Sequence, residues 1–205
     1  MNKIKGLIFD LDGVLVNTKK IHFDALNLAL KKVNAKEISF KDHLNIFDGL
    51  PTNKKLSILN DKKILNKKFN SKVIKIKQEY TLKLLNKFIK FNPKIYNTFL
   101  KLSKNYKISL ATNAVRKTLD LCVKKLRINK FISYSYSNED VSRNKPHPQV
   151  YLKCLVNMAL KPSETLIFED SHHGVMAAQD SGCLLYTVKN ILDINLSLIH
   201  ISEPT

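Results

Sequence analysis

The apolar positions change their period along the chain. From 4 to 9 they run almost continuously and are rich in β-formers, which predicts a buried strand near the chain start. From 19 to 92 the period becomes helical. Ile21, Ala25, Leu28 and Ala29 share one face, as do Val73, Ile76 and Tyr80, then Leu84, Leu85 and Phe88. The turn-forming run Asp48-Gly49-Leu50-Pro51-Thr52 interrupts this block, and Pro93 closes it. Beyond it, strands and helices alternate. Strands are predicted at 107–112, 131–136, 165–168 and 184–188, and helices at 115–126, 148–160 and 175–181.

Such alternation predicts an α/β fold: a doubly wound parallel sheet with helices on both faces. The block between the first strand and the rest is then an inserted helical cap. The expected division is a core of 1–16 and 93–195 and a cap of 17–92. Two short connections, near Asn17-Thr18 and Asn92-Pro93, would let such a cap hinge. The stretch 196–205, LSLIHISEPT, fits no element. It resembles a translated sequencing adapter more than a native terminus and is expected to be a non-native tail. The domain's natural last strand and helix are then expected to be missing.

Composition narrows the class. A chain of 205 residues with 44% hydrophobic and 25% charged residues is ordinary for a globular protein. No apolar run is long enough to span a membrane, and the start does not look like a signal peptide. The three cysteines, Cys122, Cys154 and Cys183, are odd in number and lack zinc spacing. They read as small buried residues in a reducing, cytoplasmic setting. The net charge of +18 comes almost wholly from lysines scattered through nearly every segment. Nucleic-acid binders usually cluster Arg and Lys among aromatics, so no nucleic-acid partner is expected. No membrane partner is expected either, and a monomer is. The excess charge reads as solvated faces with some attraction for anionic substrates.

The chemistry lies where strands end. Asp10 and Asp12 follow the first strand, two residues apart and able to face one site. Thr112 and Asn113 end the second strand. Lys145 lies in a loop, and Glu169 and Asp170 end the strand TLIFE. In a doubly wound sheet these ends converge on one edge, where ligands bind. Four carboxylates together would repel and take up protons. A hard dication with oxygen ligands resolves that conflict, and Mg²⁺ suits few carboxylates plus phosphate and water. Each cluster alone has a plainer reading: a turn, a cap, a surface lysine. Their joint occurrence in this order favours a site.

These residues resemble the haloacid dehalogenase-like phosphohydrolases, in the subgroup of β-phosphoglucomutases and small-molecule phosphatases. Asp10-Leu11-Asp12-Gly13-Val14-Leu15 matches the family's first motif, Thr112 its second, Lys145 within KPHPQVY its third, and Glu169-Asp170 its fourth. The resemblance implies a Rossmann-like core and a phosphatase acting on a small phosphorylated metabolite, such as a sugar phosphate, through an aspartyl-phosphate. Asp10 would be the nucleophile and Asp12 the acid and base. Thr112 and Lys145 would bind the phosphoryl group, with Asn113 contributing its backbone. Asp10, Asp12, Glu169 and Asp170 would hold Mg²⁺. In the cap, Thr18, His22 and the loop around Gly49, which includes Thr52, resemble hinge and substrate-loop positions, and closure of the cap is expected to bring Thr18, His22 and Lys77 over the substrate. Arg116 is either a substrate contact or a surface residue. The alternative is a sugar phosphomutase of the β-phosphoglucomutase type. Those mutases carry an arginine three residues after the cap-loop glycine; this chain has Thr52 there. Lysines 54 and 55 lack the bidentate fork, which favours the phosphatase. A receiver domain shares the Asp, Thr and Lys but has no such insert and no acid in the Asp12 role.

Overall fold

The computed structural model describes residues 3–189, so the stretch 196–205 lies outside the described residues. The chain divides into two compact units. One comprises residues up to Asn17 together with those from Ile89 onward, and the other is Thr18–Phe88.

Within the first unit, β1 (Gly6–Phe9) is the central strand. After it come β2 (Lys107–Ala111), β3 (Tyr134–Tyr136), β4 (Thr165–Glu169) and β5 (Leu184–Thr187). All pair in parallel in the order β3-β2-β1-β4-β5. The expected doubly wound sheet is therefore present. Its order reverses at β1, so a crevice opens beyond the C-terminal ends of β1, β2 and β4. Both faces of β1 are buried, as strands of parallel sheets require.

The helical unit contains α1 (Lys19–Lys31), α2 (Phe40–Asp42), a π-helical turn His43–Phe47, α3 (Thr52–Asp61) and α4 (Asn70–Phe88). Its core gathers Leu26, Leu30, Phe47, Leu56, Leu59 and Val73. One buried amide ties its backbone: Asn27 donates to the Ile38 carbonyl and accepts from the Ile38 N–H, both at 2.9 Å. The sheet unit adds α5 (Pro93–Leu102), α6 (Arg116–Leu126), α7 (Gln149–Met158) and α8 (His172–Asp180). On one face of the sheet, α7 and α8 pack Val150, Tyr151, Met158 and Ala177 against Ile8 and Ile167. On the other, Phe99 of α5 meets Phe9 at 5.0 Å, and Phe9 stacks on Phe168 at 4.4 Å. Alternate residues of one strand thus serve opposite faces.

Pro93 starts a helix where the sequence reading has it only closing one. Asn92 caps α5 by accepting from the N–H groups of Lys94 and Ile95, at 3.0 and 3.3 Å. Proline suits the first turn because its missing N–H would have no partner there. Helix α8 also begins earlier than its apolar period suggests. Ser171 caps it, its hydroxyl accepting from the Gly174 N–H at 3.1 Å. Among the described residues no helix is long and apolar enough to cross a membrane.

Candidate active site

Asp10 is the first residue past β1, and its N–H donates to the Phe168 carbonyl at 3.0 Å. Its position therefore follows from the β1–β4 register. The loop beyond it is closed by its own backbone. The Leu11 carbonyl accepts from Leu15 and Val16 at 2.9 and 3.1 Å, and Gly13 donates to Val16 at 2.7 Å. Leu11, Val14, Leu15 and Val16 are buried beneath it. Gly13 has φ 91°, and a Cβ there would lie 2.0 Å from Asp170 Oδ2. Only glycine lets the loop and that carboxylate share the space.

Lys145 links the motifs. Its ammonium donates to Asp10 Oδ1 at 2.7 Å, to Glu169 Oε1 at 2.6 Å and to the Ala111 carbonyl at 2.9 Å. Lysine, aspartate and glutamate are all buried. Burial disfavours the Lys145 charge, yet Asp10 and Glu169 outweigh it and hold the ammonium above its ordinary pKa. Burial drives the Asp10 carboxyl well above its ordinary value. Lys145 opposes that, while Glu169, Asp12 and Asp170 add to it. One oxygen each from Asp10, Glu169 and Asp170 lies within 4.8 Å of the others. Three carboxylates against one ammonium leave negative charge that a cation would neutralise.

Glu169 is fully engaged. Oε1 accepts from Lys145 and from the Tyr151 hydroxyl at 3.0 Å. Oε2 accepts from the N–H groups of Asp170 and Ser171, at 2.8 and 3.0 Å, and from the Ser171 hydroxyl at 3.2 Å. A Cβ on Gly174 would fall 1.7 Å from Oε1. Two glycines thus make room for two carboxylates of the site.

Thr112 is buried at the end of β2, and its hydroxyl accepts from the Ala114 N–H at 3.0 Å. Asn113 clamps the lysine loop. Its amide donates to the Lys145 carbonyl at 3.2 Å and its oxygen accepts from the Lys145 N–H at 3.1 Å. Asp12 is half-buried and bridges to Val16. Arg116 donates to the Ser135 hydroxyl and carbonyl, at 3.0 and 2.8 Å, and pairs with Asp140. Its guanidinium ties α6 to β3.

The candidate cap residues all lie in the helical unit or at its border. Thr18 is buried before α1 and its carbonyl accepts from the His22 N–H at 2.8 Å. Gly49 takes φ 72° in the turn before α3, where Lys19 pairs with Asp48 at 3.3 Å. Thr52 opens α3, and Lys77 is buried on α4. Lys54 is exposed and Lys55 buried. The sequence reading passes over His43, whose ring is fully buried beside Phe23 and Phe40. Burial first, and Lys55 second, push its pKa to about 4, so it is neutral at pH 7.

The sequence reading also misses Tyr151, which sits six residues past Lys145 and reads as an ordinary core position of α7. It is wholly buried, and besides bonding Glu169 it presents its ring face to Lys145, 4.8 Å from the ammonium. It positions both groups. Tyr151→Phe keeps the ring and loses one hydrogen bond to a charged group, worth about 1.5 kcal/mol. Steady-state kinetics should show kcat lowered about ten-fold with KM little changed.

Comparison with known proteins agrees with this geometry. A model of the haloacid dehalogenase-like hydrolases matches residues 7–188. The chain belongs to that family. It is an enzyme of the phosphatase kind. The pyrophosphatase PpaX of Bacillus mycoides is 26% identical over 181 residues, covering 88% of this chain and 81% of its own. A β-phosphoglucomutase from Clostridium difficile superposes with a TM-score of 0.82 at 20% identity, covering 97% of this chain and 96% of that one. A predicted phosphoglycolate phosphatase from Haemophilus somnus has the same TM-score, 0.82, and 20% identity, covering 99% and 100%. At that identity the two structures speak to the fold. In this haloacid dehalogenase-like chain Asp10, Thr112 and Glu169-Asp170 lie at strand ends, and Lys145 in the loop that Asn113 fixes.

Proposed function

We propose that this haloacid dehalogenase-like phosphatase is Mg²⁺-dependent and hydrolyses a small phosphomonoester, of sugar-phosphate size, through a phosphoryl group carried on Asp10. The observation that carries the reading is the buried Asp10–Lys145–Glu169 bridge beside Asp170. A carboxylate oxygen of Asp10 attacks phosphorus as the bond to the leaving alkoxide breaks. Asp12 gives that alkoxide its proton. The Asp12 carboxylate then takes a proton from water, whose oxygen attacks phosphorus and breaks the bond to Asp10. Lys145 and the Thr112 hydroxyl face the phosphoryl oxygens where charge grows.

Asp10, Asp170 and the Asp12 carbonyl would hold the metal. Glu169 already accepts five hydrogen bonds, so its part is to fix Asp170 and Lys145. Bound Mg²⁺ would supply positive charge to the phosphoryl oxygens. The named relatives, a pyrophosphatase and a phosphoglycolate phosphatase, support a small phosphorylated anion as substrate. Three free thiols among the described residues support a reducing, cytoplasmic setting.

Phosphatase is favoured over mutase because a mutase must grip a second phosphate with a fixed, forked cation. The cap loop has Thr52 at that place and Lys54 exposed to solvent. A screen of hexose phosphates, phosphoglycolate and pyrophosphate should release inorganic phosphate with Mg²⁺ and fall to background in a chelator. Full activity in the chelator would refute the metal. Phosphorus NMR on β-glucose 1-phosphate with a bisphosphate primer should show free phosphate. Glucose 6-phosphate appearing faster would make the protein a mutase.

A further inference from the structure

Lysines spread evenly along a sequence need not be even on a folded surface. From 89 to 133 the sheet unit carries eleven Lys and Arg and one acid, Asp120; from 134 to 189 it carries five and six. That acid is paired with Arg116 at 3.7 Å. The positive charge therefore gathers on α5, α6 and the turn Asn129–Phe131, while the other half of the unit is balanced.

Aromatic rings are interleaved with these cations. Phe91, 43% exposed, meets Tyr96 at 5.6 Å, and Tyr96 meets Phe131 at 5.3 Å, both edge to face. Arg127 lies over Phe91 at 5.0 Å. Lys130 lies over both Tyr96 and Phe131, at 5.3 and 5.1 Å. Rings that hold cations in place lower the entropy lost when those cations bind an anion. Phe131 and Lys130 also form one wall of an open groove of about 480 Å³, with Ser103, Lys104, Tyr106 and Ser133. The groove lies at the N-terminal end of β2. The catalytic residues lie past its other end, five residues or about 16 Å away.

We propose that this face binds single-stranded nucleic acid, with phosphates on Arg127, Lys130 and Lys104 and bases against the aromatic edge. Small-molecule pockets are mostly apolar and bury about 70–90% of the ligand. This groove is polar and open, and the cation–aromatic row runs beyond it to Phe91. An extended polyanion with stackable bases fits that form. The face is separate from the phosphatase site and does not depend on it.

The test is fluorescence anisotropy of the full chain with a labelled oligo(dT) of roughly twelve nucleotides, without a terminal phosphate so that the catalytic site has no monoester to take. Affinity should fall steeply with salt between about 50 and 200 mM. The double variant Arg127→Gln with Lys130→Gln should bind about ten-fold more weakly, with a salt slope smaller by about 1.4. Phe91→Ala should weaken binding at every salt concentration. The control, Lys72→Gln with Lys75→Gln on α4, removes the same charge and should bind like the wild type. All variants should hydrolyse p-nitrophenyl phosphate normally. Equal weakening in the control, no binding at the lowest salt, or preference for anionic lipid vesicles over the oligonucleotide would overturn the proposal.

Discussion

Asp10→Asn should abolish phosphate release while leaving the fold and its stability close to those of the wild type. The amide has the shape of the carboxylate and keeps an oxygen to accept from Lys145, which lies 2.7 Å from Oδ1. The β1–β4 register that places residue 10 is a backbone property and survives the change. The nucleophile does not. Removing a covalent nucleophile costs roughly 10⁴-fold or more in kcat. Initial rates and urea unfolding on the same preparation separate the two effects. A rate within about ten-fold of the wild type would rule out covalent catalysis at Asp10.

Lys145→Met should damage both activity and stability, in a way that depends on the metal. The substitution leaves Asp10 and Glu169 buried side by side without the ammonium that now bridges them at 2.7 and 2.6 Å. Breaking a buried ion pair by removing one partner costs about 3–5 kcal/mol. Turnover should fall roughly 10²–10³-fold, since the phosphoryl oxygens lose a positioned cation. If Asp10 and Asp170 hold a dication, Mg²⁺ should restore part of the lost stability. Unfolding in chelator and in Mg²⁺ checks this. A variant as stable as the wild type in chelator would mean that Lys145 does not balance the carboxylates.

The sheet and the four motifs were legible in the sequence because both rest on local order. An apolar run that ends in acids marks a strand end, and parallel topology brings such ends together. What connects the motifs was not legible. Lys145 reaches an aspartate 135 positions away, and Tyr151 reaches a glutamate 18 positions away. Tyr151 sits at a core position of an amphipathic helix, where an aromatic residue carries no sign of a polar partner. Gly13 and Gly174 each leave space for a carboxylate from another segment or turn, which no local pattern records. Pro93 reads as a terminator because proline ends helices as well as opening them; the Asn92 side chain decides which. Arg116 had two readings, and its bonds to Ser135 and Asp140 tie it into the frame. The basic face was hidden because its cations come from two helices and a turn, mixed in sequence with apolar residues that face inward.

The most direct measurement of the central claim is to trap the phosphoryl group. Asp12→Asn lacks the group that activates water, so a phosphorylated Asp10 should accumulate. The variant is incubated with Mg²⁺ and substrate, quenched in acid and mapped by peptide mass spectrometry. A phosphoryl group on Asp10, removed by hydroxylamine and missing in the Asp10→Asn, Asp12→Asn double variant, is the predicted result. Phosphate released by Asp12→Asn with no label on Asp10 at any time, or a label on another residue, would contradict it.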